Sequence, residues 1–219
     1  MIKHVTVADG ITICNALFGF SAILFLFLGL FWVSFSLILL GLLADGLDGV
    51  VARRRGKGKL GEHLEPMADL TTLSIAPAAF VFVTYHSSVG QYLFLLFGIL
   101  ILFFLSSVVR LGSFHILKDD AFFVGLPTSA STIVILVAAF VHLDIVLCIA
   151  LILVLSLLMV SSIHFPKPSL SLNVFATLFI FAAISFGGLY AGVAPFILLF
   201  VVSCYIIGGP IVLYLIKKP

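Results

Sequence analysis

Charge is the scarcest property of this sequence. Only 11 Lys and Arg residues and 9 Asp and Glu residues occur among 219, and 63% of the chain is hydrophobic. The mean hydropathy is +1.38, which excludes a soluble globular protein of ordinary composition. The net charge of +2 gives no argument for nucleic acid as a partner.

Cysteine is rarer still, with three residues, and its placement excludes two further classes. Cys14, Cys148 and Cys204 lie singly inside apolar runs without paired spacing. This pattern predicts buried core thiols rather than a disulfide framework or a thiolate metal site.

What the sequence does contain is a series of apolar runs, each of about 20 residues and long enough to cross a bilayer as a helix. We therefore predict an all-α integral membrane protein, a polytopic bundle of about eight transmembrane helices forming one membrane domain over residues 1–219. The runs cover about 10–31, 33–54, 60–85, 91–114, 125–142, 145–163, 171–191 and 193–216.

The basic residues predict the orientation of these spans. Lys3, the run from Arg53 to Lys59, Lys118, Lys167 and the pair Lys217 and Lys218 fall on alternate connections, and the other connections carry none. Because cytoplasmic loops are enriched in Lys and Arg, we expect both termini and the turn after span two on the cytoplasmic side of the plasma membrane.

The acidic residues form two stripes around that turn. Asp45 and Asp48 are three residues apart at the end of span two, and Glu65 and Asp69 are four apart at the start of span three, so each pair shares a helix face. Carboxylates in a membrane are costly and usually functional. If the two helices pack as a hairpin, the four carboxylates converge and need a cation between them, and their oxygen ligands suit Mg²⁺ or Mn²⁺.

Other residues are in register with these stripes. Arg53 follows Asp45 and Asp48 on the same face, which favours a contact with a diphosphate or ribose group. Gly49 and Gly61 would allow a substrate to approach the backbone. The alternative is a set of plain ion pairs between the acids and Arg53, Arg54 and Arg55, which would not require repeating stripes with glycines in them.

Three further polar residues, two in span one and one in span four, each have two interpretations. Thr12 and Asn15 extend a polar stripe from Asp9 at the start of span one, which fits either substrate contact or capping by Asp9 with hydrogen bonds between helices. Arg110, about one turn inside the end of span four, either snorkels to the interface or binds an anionic group.

These motifs resemble the signature of the CDP-alcohol phosphotransferases, which are membrane enzymes that make phospholipids from CDP-lipids. The resemblance covers residues 9–167, and residues 168–219 look like two additional helices. The core motif reads Asp45-x-x-Asp48-Gly49-x-x-Ala52-Arg53 followed by Gly61-x-x-x-Glu65-x-x-x-Asp69. Three further segments are similar to the phosphatidylserine synthase branch: Arg110-Leu111-x-x-Phe114, Gly125-Leu126-Pro127-x-x-Ala130, and 159–166.

The resemblance implies transfer of a phosphatidyl or archaetidyl group from a CDP-lipid to L-serine with release of CMP. It implies that Asp45, Asp48 and Glu65 hold divalent metal, and that Asp69 is the general base and a further metal contact. It further implies nucleotide-lipid contacts from span one and a homodimer in membrane lipid. The family has Asp where this chain has Glu65, and the longer side chain predicts a shift from Mg²⁺ toward Mn²⁺.

Three alternatives stay open. Inositol phosphate or glycerol phosphate could replace serine as the acceptor, because Arg54, Arg55, Lys57 and Lys59 supply positive charge near the site. A cation transporter would instead spread its acids over several helices, whereas here they cluster on one hairpin. The third is a catalytically silent scaffold in which Glu65 marks lost activity.

Overall fold

The computed structural model describes residues 6–55, 58, 60–113, 122–167, 170–186 and 193–216. The topology signals at Lys3, Lys57, Lys59, Lys118, Lys217 and Lys218 lie outside these residues. The helices are α1 (Val7–Phe27), α2 (Phe31–Arg55), α3 (Gly61–Asp69), α4 (Ala76–Tyr85), α5 (Leu93–Ser113), α6 (Thr128–Phe140), α7 (Ile145–Met159), α8 (Leu170–Phe186) and α9 (Val193–Ile216). The chain divides into two compact units, Met1–Val83 and Thr84–Pro219.

The first unit is built on an antiparallel pair of long helices. Thr6 caps α1 by accepting a hydrogen bond from the backbone N–H of Asp9, whose carboxylate accepts one from the N–H of Thr6. This reciprocal box satisfies two of the free donors at the helix start. After α1, Gly29 adopts a φ of +73°, which suits glycine and lets α2 return along α1. Both helices pack against the segment that follows Gly61.

That third segment is continuous but not uniformly α-helical. Residues Leu70–Ile75 form a π-helical stretch between α3 and α4, and the N–H of Ala76 donates to the carbonyl of Thr71 five residues back. Pro77 follows directly; its ring would clash with the carbonyl four residues earlier in a regular α-helix. The wider turn therefore carries the chain into Pro77 without ending the helix.

The second unit contains a short two-stranded sheet among its helices. Strand β1 (Phe122–Val124) pairs antiparallel with β2 (His164–Pro166), with Phe123 opposite Phe165. Helix α6 is buried along most of its length and packs on α7 and α9. Tyr85 donates a hydrogen bond to the carbonyl of Leu143 at 2.6 Å, which ties the end of α4 to the connection between α6 and α7.

The chain is a multi-pass, all-α membrane protein, and the described residues contain only these two strands besides helices. Five segments are long and apolar enough to cross a membrane: Val7–Phe27, Phe31–Arg53, Gly61–Tyr85, Gly90–Ser113 and Val193–Leu215. Three of the eight predicted spans are shorter helices than expected, Thr128–Phe140, Ile145–Met159 and Asn173–Phe186. Helix α6 is shorter than its apolar run because Gly125 and Pro127 precede it, and α7 begins at the cap formed by Asp144.

The prediction of buried core thiols is correct for Cys148 and wrong for Cys14 and Cys204, which are both exposed on their helices.

Candidate active site

The acidic residues of α2 and α3 lie together in the first unit. Asp69 is buried, and the charges of Asp45, Glu65 and Asp48 all act on it, with Asp45 acting most strongly. Asp48 is buried as well, while Asp45 and Glu65 are half-buried. The other three predicted carboxylates therefore lie near enough to Asp69 for their charges to act on it.

The donor chemistry of this group fits a hard divalent cation, since it offers carboxylate oxygens and no thiol or imidazole. Clustered negative charge in a buried place also needs compensation. Among the residues that the structure describes, however, no group of three or more Asp, Glu, His or Cys side chains is arranged to hold a metal ion. The four residues therefore fit Mg²⁺ or Mn²⁺ in chemistry and charge, and their metal-ligand roles stay predictions.

Helix α1 supplies hydrogen-bond donors to two of the acids. The hydroxyl of Thr12 donates to Oδ2 of Asp48 at 2.5 Å, and Nδ2 of Asn15 donates to Oδ1 of Asp69 at 2.9 Å. Both donors are buried. Asp9 instead bonds to Thr6 in the cap of α1. The polar stripe of α1 therefore forms hydrogen bonds between helices through Thr12 and Asn15, and its predicted contact with substrate stays a prediction.

The other residues of the motif lie around this group. Gly49 is on α2, and a Cβ there would lie 3.6 Å from Nη1 of Arg53, so the guanidinium folds back along its own helix. The side chain of Arg53 is exposed, whereas Gly61 is buried at the start of α3. Glu62 and His63 are both exposed beside it.

One residue next to the acids was missed by the sequence analysis. Thr72, in the π-helical stretch, is fully buried, and its hydroxyl donates to the backbone carbonyl of Asn15 at 2.8 Å. Its sequence signal is weak, because threonine hydroxyls in apolar helices usually bond to their own helix. Only the tertiary packing of α1 on this segment identifies it.

Arg110 belongs to the second unit, and both interpretations of it stay predictions. Its side chain is only 6% exposed, and its Nε donates to the carbonyl of Leu126 at 3.3 Å. The guanidinium lies over the ring of Phe123 at 5.9 Å, and the Nζ of Lys167 lies over the same ring at 5.3 Å. Two cations on one aromatic ring make this a positively charged place within that unit.

Comparison with known proteins agrees with the motif. The model of the CDP-alcohol phosphatidyltransferase family matches residues 5–163. The match spans most of a helical membrane chain, which places the protein in the class of membrane-bound phospholipid transferases. The chain belongs to the CDP-alcohol phosphatidyltransferase family. The resemblance inferred from the acidic motif is thereby confirmed at the level of the family.

Several relatives carry more specific names. The CDP-diacylglycerol–serine O-phosphatidyltransferase of Methanocaldococcus jannaschii is 31% identical over 166 residues, covering 75% of this chain and 76% of the relative. The archaetidylserine synthase of Methanothermobacter thermautotrophicus is 30% identical over 171 residues, covering 75% and 71%. The CDP-diacylglycerol–serine O-phosphatidyltransferase of Bacillus subtilis is 31% identical over 150 residues, covering 67% and 75%.

Proposed function

We propose that this chain is an enzyme of phospholipid biosynthesis that transfers a phosphatidyl or archaetidyl group from a CDP-lipid to L-serine and releases CMP. The observation that carries the proposal is the burial of Asp69 in electrostatic contact with Asp45, Glu65 and Asp48, in a member of this family. Serine as the acceptor is supported by the names of the relatives in two archaea and a bacterium.

The reaction is a displacement at phosphorus. The serine hydroxyl oxygen attacks the lipid-linked phosphorus of the diphosphate, a new phosphorus–oxygen bond forms, and the bond to the CMP oxygen breaks, so that CMP leaves with the electron pair. Asp69 accepts the proton of the serine hydroxyl. A positioned base of this kind contributes about 10²–10⁴ in rate, and Asn15 holds one of its oxygens by a hydrogen bond.

Asp45, Asp48 and Glu65, with Asp69 beside them, are the residues that would hold Mg²⁺ or Mn²⁺. When bound, the ion neutralises negative charge on the diphosphate and on the leaving CMP. Thr12 supports this role from outside the acidic group, because its hydrogen bond to Asp48 fixes the orientation of that carboxylate.

The remaining motif residues are proposed to bind substrate. Arg53 would contact the diphosphate or ribose, while Gly49 and Gly61 leave room beside the backbone for it. Thr12 and Asn15 would line the nucleotide side of the acidic group. Arg110 is proposed to contact an anionic group of a substrate, which its buried guanidinium favours.

We further propose that residues 1–167 form the catalytic core, 168–219 add two helices, and the protein is a homodimer in the plasma membrane. The family match over residues 5–163 supports the first point. If all eight segments cross, both termini and the acidic group lie on the same side of the membrane, because an even number of crossings separates them. We propose that this side is the cytoplasm. The alternation of Lys and Arg along the connections supports that topology.

CMP release by the purified protein tests the proposal. CDP-diacylglycerol and CDP-archaeol are each offered alone, with serine, with glycerol phosphate and with inositol phosphate, in the presence of Mg²⁺ or Mn²⁺. The variants are Asp69→Asn and, as a matched control, Asp144→Asn, because Asp144 caps α7 and asparagine caps a helix equally well.

We expect serine-dependent CMP release by the wild type and by Asp144→Asn, and a rate about 10²–10⁴ lower for Asp69→Asn. Release with glycerol phosphate or inositol phosphate but not with serine would contradict the acceptor and keep the reaction class. Absence of CMP release with all three acceptors would overturn the enzymatic proposal.

A further inference from the structure

Two hydrogen bonds connect Thr72 to Asn15 and Asn15 to Asp69. Thr72 lies one turn after Asp69 in the same continuous helix, and its hydroxyl donates to the backbone carbonyl of Asn15. The side chain of Asn15 in turn donates to the carboxylate of Asp69. One residue of α1 is therefore bonded twice to the segment that carries the proposed base, once through its backbone and once through its side chain.

Two glycines shape the place that Thr72 occupies. A Cβ at Gly19 on α1 would collide with the Thr72 hydroxyl and lie 2.7 Å from its Cα. A Cβ at Gly41 on α2 would collide with the Thr72 methyl and lie 3.1 Å from Oδ1 of Asn15. Both α1 and α2 thus lack a side chain where Thr72 inserts, so the threonine is packed between them as well as hydrogen-bonded.

The local backbone explains why such an anchor is useful. Asp69 ends α3, and the π-helical stretch Leu70–Ile75 begins at the next residue. Such stretches are rare, appear mostly as single turns inside α-helices, and are frequent at functional sites. Since π-helical geometry changes the direction of the side chains that precede it relative to those that follow, a side chain fixed within the stretch controls where the end of α3 points.

We propose that Thr72 is a positioning residue for Asp69: its hydroxyl and its fit against Gly19 and Gly41 hold the carboxylate where it accepts the proton of the acceptor alcohol. Thr72 lies outside the acidic motif and touches no reacting atom. The inference rests on the proposed function, in which Asp69 is the base. A displacement of about 1 Å at a catalytic group can cost about 10²-fold in rate.

Three variants test this assignment. Thr72→Val removes the hydroxyl and keeps the shape, while Thr72→Ser keeps the hydroxyl and removes the methyl. The control is Thr132→Val, because Thr132 is equally buried and its hydroxyl also donates to a backbone carbonyl, that of Thr128 at 2.9 Å. The measurements are kcat and KM for serine and for the CDP-lipid, and the thermal unfolding midpoint in detergent.

For Thr72→Val we expect kcat to fall about 10- to 100-fold with both KM values near those of the wild type, since only transition-state geometry is lost. Thr72→Ser should restore most of kcat. Thr132→Val should keep kcat, which separates positioning of Asp69 from the loss of a buried hydroxyl in general.

The proposal is overturned if Thr72→Val loses no more kcat than Thr132→Val, if serine fails to rescue, or if KM alone changes. Should Thr72→Val not purify as folded protein, Thr72→Ala replaces it, because alanine places no methyl against the Asn15 carbonyl. Loss of the fold in both would assign Thr72 to stability alone and also overturn the proposal. A wild type without CMP release contradicts the proposed function instead, since every Thr72 comparison uses an active wild type.

Discussion

Asn15 and Asp69 are joined by a hydrogen bond of 2.9 Å between the side-chain amide nitrogen of the first and Oδ1 of the second. The Asn15 side chain is fully buried. The amide nitrogen faces the carboxylate, which matches an ionised carboxylate, since that form can only accept hydrogen bonds. Helix α1 thus places a neutral donor beside the acidic group. An acidic residue at position 15 would instead add to the negative charge of that group.

Asn15→Asp reverses this arrangement. The variant replaces the donor with a carboxylate beside Asp69, so it loses a hydrogen bond to a charged group, worth about 1.5–3 kcal/mol, and adds repulsion. We expect serine-dependent CMP release to fall about 10-fold or more, by the conversion of about 1.4 kcal/mol per tenfold in rate. Asn173→Asp is the matched control, because Asn173 is exposed on α8. Equal activity of the two variants would show that the Asn15 bond is unimportant for the reaction.

Glu65→Asp tests the departure of this chain from its family. Aspartate shortens the side chain by one methylene and keeps its charge, which favours the tight octahedral geometry of Mg²⁺ over the more tolerant Mn²⁺. We expect the ratio of activity in Mg²⁺ to activity in Mn²⁺ to rise. The measurement is CMP release over a titration of each metal.

Glu62→Asp is the control for that titration. Glu62 lies three residues before Glu65 on the same helix and is exposed, so the same shortening there should leave the ratio unchanged. A ratio that stays constant in both variants would contradict the role of Glu65 in metal preference.

Thr12→Val removes the donor to Asp48 while keeping the shape of the side chain. Loss of a hydrogen bond to a ligating carboxylate typically costs about 10- to 100-fold in metal affinity, so the metal concentration for half-maximal activity should rise by that amount. Thr177→Val serves as the control, because the Thr177 hydroxyl bonds to the carbonyl of Asn173 within its own helix. An unchanged metal requirement in Thr12→Val would argue that Asp48 does not hold the ion.

The long helices could be predicted from the sequence to within a few residues. Their apolar runs identify each helix, but the ends are less exact: the first run, 10–31, starts after the cap formed by Thr6 and Asp9 and extends past the turn at Gly29. The π-helical stretch could not be placed, because Pro66 and Pro77 indicate a disturbed helix without locating the wider turn. The pairing of Phe122–Val124 with His164–Pro166 joins residues about 40 positions apart in short segments that have no strand periodicity of their own.

The acidic group was predictable for a different reason. Asp45 and Asp48 on one helix, and Glu65 and Asp69 on the next, each repeat at helical spacing, so helical geometry alone puts each pair on one face. Thr72 was not predictable, because its partner is a backbone carbonyl on another helix and leaves no pattern in the sequence.

Gly125→Ala probes the second unit, where glycine is required for two reasons. Gly125 has a φ of +78°, and a Cβ there would collide with the carbonyl oxygen of Met159 and lie 3.2 Å from that of Ser161. Left-handed backbone at a residue with a Cβ costs about 1–3 kcal/mol, and the contact with backbone atoms adds to it. We expect a clearly lower thermal unfolding midpoint in detergent.

Gly98→Ala is the matched comparison. Gly98 lies inside α5, where a Cβ would meet nothing within 4 Å, and alanine is favoured over glycine in a helix by about 0.8–1 kcal/mol. Its midpoint should therefore stay the same or rise, while that of Gly125→Ala falls. If the two variants unfold at the same temperature, the turn between β1 and α6 does not need the backbone conformation and close contact that glycine allows at position 125.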